Sequence, residues 1–318
     1  MTLSTDRDAG GVGCARGCGW IWCPVGSLGS SGPARGERMR SIVITGVSTG
    51  IGRGAAATFV RAGYRVFGSV RREEDAARLR GELGERFVPL VFDVTDREAV
   101  LGAAEEVGEA VGAGGLAGLV NNAGTAAAGP LALQPLDDVR AQFEANVLGL
   151  VSVTQSFLQL LGMDGSRSGA PGRIVNMSSV GGKVAAPFIG AYAGTKHAVE
   201  GLSDALRREL MPYGIDVIVV RPGAVKTEIW AKGATSKGLY AGTDYQEPLE
   251  RFEAYANRLA GGGYSPEEFG RLVLRAFEAK RPRTRYAIVR GRLANWVLPT
   301  LLPDRWLDRI IGRTVGPA

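Results

Sequence analysis

A single histidine, and no cysteine beyond residue 23, remove much of the chemistry open to a chain of 318 residues. His197 directly follows Lys196 and has no acidic or cysteine partner at a suitable spacing. That argues against a His-based metal site or a Ser-His-Asp triad and leaves a helix-surface neighbour of Lys196. Cys14, Cys18 and Cys23 form no CxxC pair and have no histidine near them. The chain beyond residue 38 therefore has neither a disulfide nor a thiol nucleophile to use, which fits a reducing, cytoplasmic compartment. Long apolar runs are missing too. GWIWCPVG, in the first 38 residues, is too short to cross a bilayer and lacks the basic start of a secretory signal. The formal charge of +6 is modest, and acidic and basic residues are mixed along most of the chain. No nucleic-acid stripe results; a role for the charge would be attraction of an anionic cofactor or substrate.

What is present is glycine, 47 residues of it, and an alternation of short apolar runs with longer helical stretches. Residues 1–38 are rich in Gly, Ser and Arg and have neither period. Met39 reads as the natural start, with a disordered tail or a functional cysteine cluster as the alternatives. From residue 40 the runs SIVIT, YRVFGSV, RFVPLVF, LAGLVNN, GRIVNMS, IDVIVV and RYAIV read as strands. Helices are expected near 51–62, 73–83, 96–112, 137–161, 190–212 and 265–279. Strands that are apolar on both faces and separated by helices predict one α/β domain over 39–318, a doubly wound (Rossmann) parallel sheet of about seven strands.

Polar and glycine chemistry gathers at the carboxyl ends of these runs, where open α/β sheets bind ligands. The first strand leads into Thr45-Gly46-Val47-Ser48-Thr49-Gly50-Ile51-Gly52, a turn that suits a pyrophosphate at a helix N-terminus. The second ends at Val70 with Arg71 and Arg72 next, where an acidic residue would select NAD; a guanidinium there favours NADP(H) over NAD(H). Asp93 is assigned to the adenine edge, since Thr95 or Asp96 is the more natural helix cap. Asn121-Asn122-Ala123-Gly124 ends the fourth strand: small residues admit a flat ligand, and an amide ties neighbouring strands. Ser178 and Ser179 end the fifth, and Arg221-Pro222-Gly223 ends the sixth, with Thr227 shortly after. Tyr192 and Lys196, four apart, share one helix face, where an ammonium would bring a phenol's pKa of about 10 toward the working range.

These motifs resemble the short-chain dehydrogenase/reductase family over nearly all of residues 40–290, through TGVSTGIG, Asp93-Val94, NNAG, Asn146 in FEANVLG, Ser179, YAGTK and PGAVKT. The resemblance implies hydride transfer between a nicotinamide and a carbonyl or alcohol, with no metal. Tyr192 would exchange the proton with the substrate oxygen, Lys196 would lower its pKa and hold the ribose, and Ser179 would hold the substrate oxygen. Asn146 would support a water linked to Lys196. Gly46, Ser48, Thr49, Gly50, Ile51, Gly52, Arg71, Asp93, Val94, Asn121, Ala123, Gly124, Pro222, Gly223, Val225 and Thr227 would line the cofactor. The family's usual dimer face, helices 137–161 and 190–212, implies a homodimer or homotetramer.

Residues 224–264, with Trp230, Tyr240, Tyr245, Phe252 and Tyr255, resemble the family's substrate lid and suit a bulky apolar ketone or alcohol. The tail at 292–318 places Trp296, Leu301, Leu302, Trp306, Leu307, Ile310 and Ile311 near helical spacing, for packing or for contact with a membrane surface. Hydroxysteroid and retinol dehydrogenases are the nearest members in character. A nucleotide-binding regulator of the same fold, or a dehydratase or epimerase, is the competing reading.

Overall fold

A computed structural model describes residues 39–163, 165, 169–226 and 238–315. The expected first segment, 1–38, therefore lies outside the described residues.

The seven apolar runs form seven parallel strands: β1 Ser41–Ile44, β2 Arg65–Val70, β3 Phe87–Val91, β4 Gly118–Asn121, β5 Arg173–Met177, β6 Asp216–Pro222 and β7 Arg285–Ile288. Their order is β3-β2-β1-β4-β5-β6-β7, in register from Ser41 opposite Arg65 to Pro222 opposite Ile288. The order reverses between β1 and β4, and a crevice opens at the carboxyl ends of a doubly wound sheet at such a switch.

Successive strand residues point to opposite faces, and each face has its own core. Ile42, Ile44, Val66, Val120, Val175, Ile218 and Val220 meet α1 (Gly50–Arg61), α2 (Glu73–Leu83) and the late helix through Phe59, Leu79, Phe269, Val273 and Phe277. Val43, Phe67, Leu119, Ile174 and Val217 meet α3 (Arg97–Val111) and α5 (Gly149–Phe157) through Val100, Val107, Val153 and Phe157. Burial on both sides is why the runs are mostly apolar on both faces. Asp96 caps α3 by accepting from the Ala99 N–H at 3.0 Å, which leaves Asp93 to another task.

Between α4 (Leu136–Phe143) and α5 the chain widens into one π turn, Glu144–Leu148, so the expected helix 137–161 is broken where Asn146 stands. Such turns concentrate at functional sites. The long helix α6, Gly190–Glu209, follows Phe188, a non-glycine residue held at φ 65°. Within the stretch expected as the lid, Gln246–Gly261 form α7, whose Leu249 and Phe252 pack with Phe188 and Tyr240. A Ser265–Glu268 capping box opens α8, Pro266–Glu278. The tail continues as a π turn at Leu293–Val297, then α9 (Leu298–Leu301) and α10 (Asp304–Val315).

Candidate active site

The glycine turn leaves β1 between two fixed partners. Gly46 takes φ +69°, its N–H donates to Ser69 Oγ of β2 at 2.9 Å, and a Cβ on it would lie 2.8 Å from Ala123 Cα. A Cβ on Gly52 would lie 2.2 Å from the Gly46 carbonyl oxygen, so only glycine permits this turn. Thr45 Oγ1 accepts from the N–H groups of Asn122 and Ala123, each at 3.0 Å. Asn122 Nδ2 donates to the carbonyls of Thr45 and Gly46, at 2.9 and 3.0 Å. The turn and the end of β4 are thus one hydrogen-bonded unit in front of α1. No side chain caps α1: Thr49 is extended at the N-cap and makes no cap bond. A Cβ-free cradle at a helix start without a side-chain cap fits a pyrophosphate, so these residues suit a dinucleotide.

Neighbouring asparagines divide two tasks. Asn121, on the inward side, donates to Asn176 Oδ1 of β5 and to Thr154 Oγ1, both at 2.9 Å. Its side chain ties strands and α5 together, and only its backbone is left to a ligand. Val94 is similar: its side chain packs in the core, and a Cβ on Gly149 would meet its Cγ2 at 2.8 Å. Asp93 Oδ1 accepts from the Thr95 N–H and hydroxyl at 3.0 and 2.8 Å, and its Oδ2 is 3.8 Å from the exposed Arg71 guanidinium. Ser48 and Thr49 stand partly or fully in solvent, and Ile51 packs on the core. Pro222 ends β6 and Gly223 follows it, its N–H donating to the Ile288 carbonyl at 3.0 Å, and Val225 bridges to Tyr264. Thr227 and Trp230 lie outside the described residues.

At the end of β5, Ser179 is hydrogen-bonded to Tyr192 on the first turn of α6 and accepts from the Gly181 N–H at 3.0 Å. Lys196 Nζ donates to the Met177 carbonyl at 2.9 Å and lies 5.6 Å from the centre of the Tyr192 ring. All three are less than a tenth exposed. Asn146 Oδ1 accepts from the Thr125 N–H at 2.7 Å, while its Nδ2 donates to the Thr125 carbonyl and to Thr195 Oγ1. A Cβ on Gly124 would sit 2.8 Å from that Oδ1 and 3.9 Å from Lys196 Nζ, so the π turn, the β4 end and α6 meet here.

Burial raises the pKa of Tyr192 above its ordinary 10.0, and the Ser179 hydrogen bond works against that rise. Burial lowers Lys196 to about 8. The expected lowering of the phenol by the ammonium is therefore not met in the protein alone. Desolvation outweighs it, because a phenolate without solvent loses more than a distant ammonium returns.

Residues 40–237 match the family described as short chain dehydrogenase. This chain belongs to the short chain dehydrogenase family. It is 41% identical over 272 residues to the NADPH-dependent 3-dehydrocapnine reductase of Ornithobacterium rhinotracheale, covering 86% of this chain and 96% of that one. It is 36% identical over 263 residues to human retinol dehydrogenase 16, covering 79% and 80%. Among solved structures, a short-chain dehydrogenase from Streptomyces avermitilis superposes with a TM-score of 0.70 at 28% identity, covering 87% and 98%.

Three features of this short chain dehydrogenase escape a reading of its sequence. Asn122 was a neighbour of expected ligands, yet it pins the glycine turn; strand alternation alone separates it from Asn121. Arg78, on α2, donates to the Ser48 carbonyl at 2.9 Å and pairs with Asp75 and Glu82. It reaches the turn across 30 positions, on a helix that follows β2. Glu200, one turn beyond Lys196, is buried and receives Arg221 and Arg285 at 2.7–2.9 Å. A lone acidic residue on a helix gives no local sign of this.

Proposed function

We propose that this protein is an NADPH-dependent reductase that converts a carbonyl on a fairly bulky apolar substrate to an alcohol, and the reverse. The observation that carries this reading is the buried Ser179–Tyr192–Lys196 group beside the glycine cradle. The cofactor, when bound, supplies the hydride.

The chain's own residues supply the rest. Tyr192, with its pKa raised by burial, keeps its proton at neutral pH and is ready to give it to a developing alkoxide. Ser179 Oγ holds the tyrosine oxygen and presents a second hydroxyl to the substrate oxygen. Lys196, fixed by the Met177 carbonyl, stands one helical turn from Tyr192, and Asn146 fixes the Thr125 and Thr195 positions around it. Gly46, Gly50 and Gly52 admit the pyrophosphate, with Ser48, Thr49 and Ile51 around it. Asp93 and the backbones of Val94, Asn121, Ala123 and Gly124 would hold the adenosine side, and Pro222, Gly223 and Val225 the nicotinamide.

Arg71, beside Asp93, and Arg78, on the Ser48 carbonyl, would offer guanidinium groups to a 2′-phosphate. NADPH dependence in the 3-dehydrocapnine reductase supports the same choice. Apolar substrates are supported by Phe188, Tyr240, Leu249 and Phe252, which pack together beside the start of α6.

The test is consumption of NADPH over long-chain, steroid and retinoid ketones and aldehydes. Wild-type protein should turn over at least one class, and Tyr192→Phe should bind NADPH with unchanged affinity while losing about 10²–10⁴-fold in rate. NADPH binding without turnover by the wild type on any class would favour the regulator instead.

A further inference from the structure

The positive charge of this chain is gathered in one place. Residues 279–318 contain nine basic side chains and two acidic ones, an excess of +7, whereas the entire chain has +6. Arg285 is taken up by Glu200 and Asp204, and Arg290 by Glu268. Arg305, Arg309 and Arg313 are exposed on α10 and make no ion pair with any described residue.

The same segment leaves large apolar side chains in solvent: Leu293, Leu298, Leu301 and Trp306 are 49–74% exposed. On α10 the two properties lie side by side. Leu307 and Ile311 are half-buried, and Ile311 packs on the Phe188–Tyr240–Leu249–Phe252 cluster. Trp306 and Ile310, one turn apart, form the next stripe, and Arg305, Arg309 and Arg313 form the stripe beyond. An exposed tryptophan next to a row of arginines matches the bilayer interface, where the ring sits at headgroup depth and long cations reach anionic headgroups.

We propose that α9 and α10 dock this protein on an anionic lipid bilayer, lying in the interface plane with Leu298, Leu301, Trp306 and Ile310 inserted. No described helix is long and apolar enough to cross a membrane, so contact through this face would be peripheral. The commitment to lipid follows from charge. A second copy of the same face would bring like charges together, and a nucleic acid would gain nothing from the exposed leucines. The docked face adjoins the apolar cluster beside α6, so a water-insoluble substrate would have a short route from the bilayer. That last consequence rests on the function proposed above; docking itself does not.

The experiment is co-sedimentation of the full chain with phosphatidylcholine vesicles, with and without phosphatidylglycerol, over a salt series. Binding should need phosphatidylglycerol and fall with salt. Arg305→Gln/Arg309→Gln/Arg313→Gln should lower the partition coefficient about 100-fold, at about fivefold for each cation near an anionic surface. Leu301→Ser/Trp306→Ser should abolish binding while leaving the thermal unfolding midpoint and NADPH binding unchanged. Equal binding to both vesicle types, or no binding to either, would overturn the proposal. So would a serine variant that dissociates an oligomer without altering vesicle binding, since a second copy would then be the occupant. Because none of these readouts uses turnover, they remain decisive if the reductase reading fails.

Discussion

Replacing Glu200 by glutamine should destabilise this protein without touching any cofactor contact. The carboxylate is 9% exposed and holds Arg221 bidentately, with Nε–Oε1 at 2.7 Å and Nη2–Oε2 at 2.8 Å. Arg285 Nε reaches Oε2 at 2.9 Å, and Ser178 adds a hydrogen bond. Removing the charge leaves two guanidinium groups facing a neutral amide. Breaking a buried pair costs about 3–5 kcal/mol. The lower end applies here, because Arg285 is 29% exposed and keeps Asp204 at 2.7 Å. At about 2–4 °C per kcal/mol for a domain of this size, Tm should drop by about 6–12 °C at neutral pH. The pH dependence fixes the cause. Burial alone would raise the carboxyl, but the hydrogen bonds from Arg221, Ser178 and Arg285 win and hold it below its ordinary 4.5. A lowered folded pKa gives stability that is complete above about 4.5 and lost as pH falls through the folded value. The difference in Tm between wild type and Glu200→Gln should therefore be constant above that pH and shrink below it. A drop of under about 2 °C at neutral pH would refute the reasoning, given the same conversion. So would a difference that persists undiminished into acid.

Gly124→Ala should fold but lose about tenfold or more in rate, because its methyl would press on Asn146 Oδ1 at 2.8 Å and push it from the Thr125 N–H; steady-state kinetics with a circular dichroism control would measure this. Arg71→Ala and Arg78→Ala should each weaken NADPH by about tenfold with little change for NADH, read by fluorescence titration, and equal losses for both cofactors would remove the 2′-phosphate role. Lys196→Met should raise the stability of the cofactor-free protein at neutral pH while abolishing turnover. Burial puts the folded lysine at about 8, below its ordinary 10.5, so the wild type loses stability as pH falls from 10.5 to 8 and regains none below. The gain in Tm should vanish above pH 10.5.

The sheet was legible because burial on both faces leaves few polar residues inside strands, as in Ser41–Ile44. Helix starts followed from spacing, and α3 begins at its Asp96 cap as the sequence suggests. What could not be read depends on contacts between distant segments. Arg78 meets Ser48 across 30 positions, and Glu200 meets Arg285 across 85. Helix α7 is not marked in the sequence, because the aromatics around it are scattered and two of them, Tyr245 and Tyr255, are exposed. Only packing of Phe252 and Leu249 on Phe188 reveals which face is buried.

The tyrosine shows most clearly where spacing ends and environment begins. A spacing of four between Tyr192 and Lys196 puts both on one face, but the ammonium hydrogen-bonds to the Met177 carbonyl, and burial lowers its pKa to about 8. At neutral pH the protein alone therefore holds a protonated phenol and a lysine whose charge burial has made less secure. Filling the pocket with an anionic dinucleotide would favour the charged lysine, since an opposite charge nearby raises an amine pKa. The cation would then bear on the phenol only in the loaded state. It follows that the pH at which Lys196 titrates should rise on NADPH binding, and that NADPH should bind with proton uptake on the alkaline side of pH 8. Calorimetric titration in two buffers of different ionisation enthalpy measures that uptake. Zero uptake in wild type, or the same uptake in Lys196→Met, would locate the proton elsewhere and break the coupling between cofactor and acid.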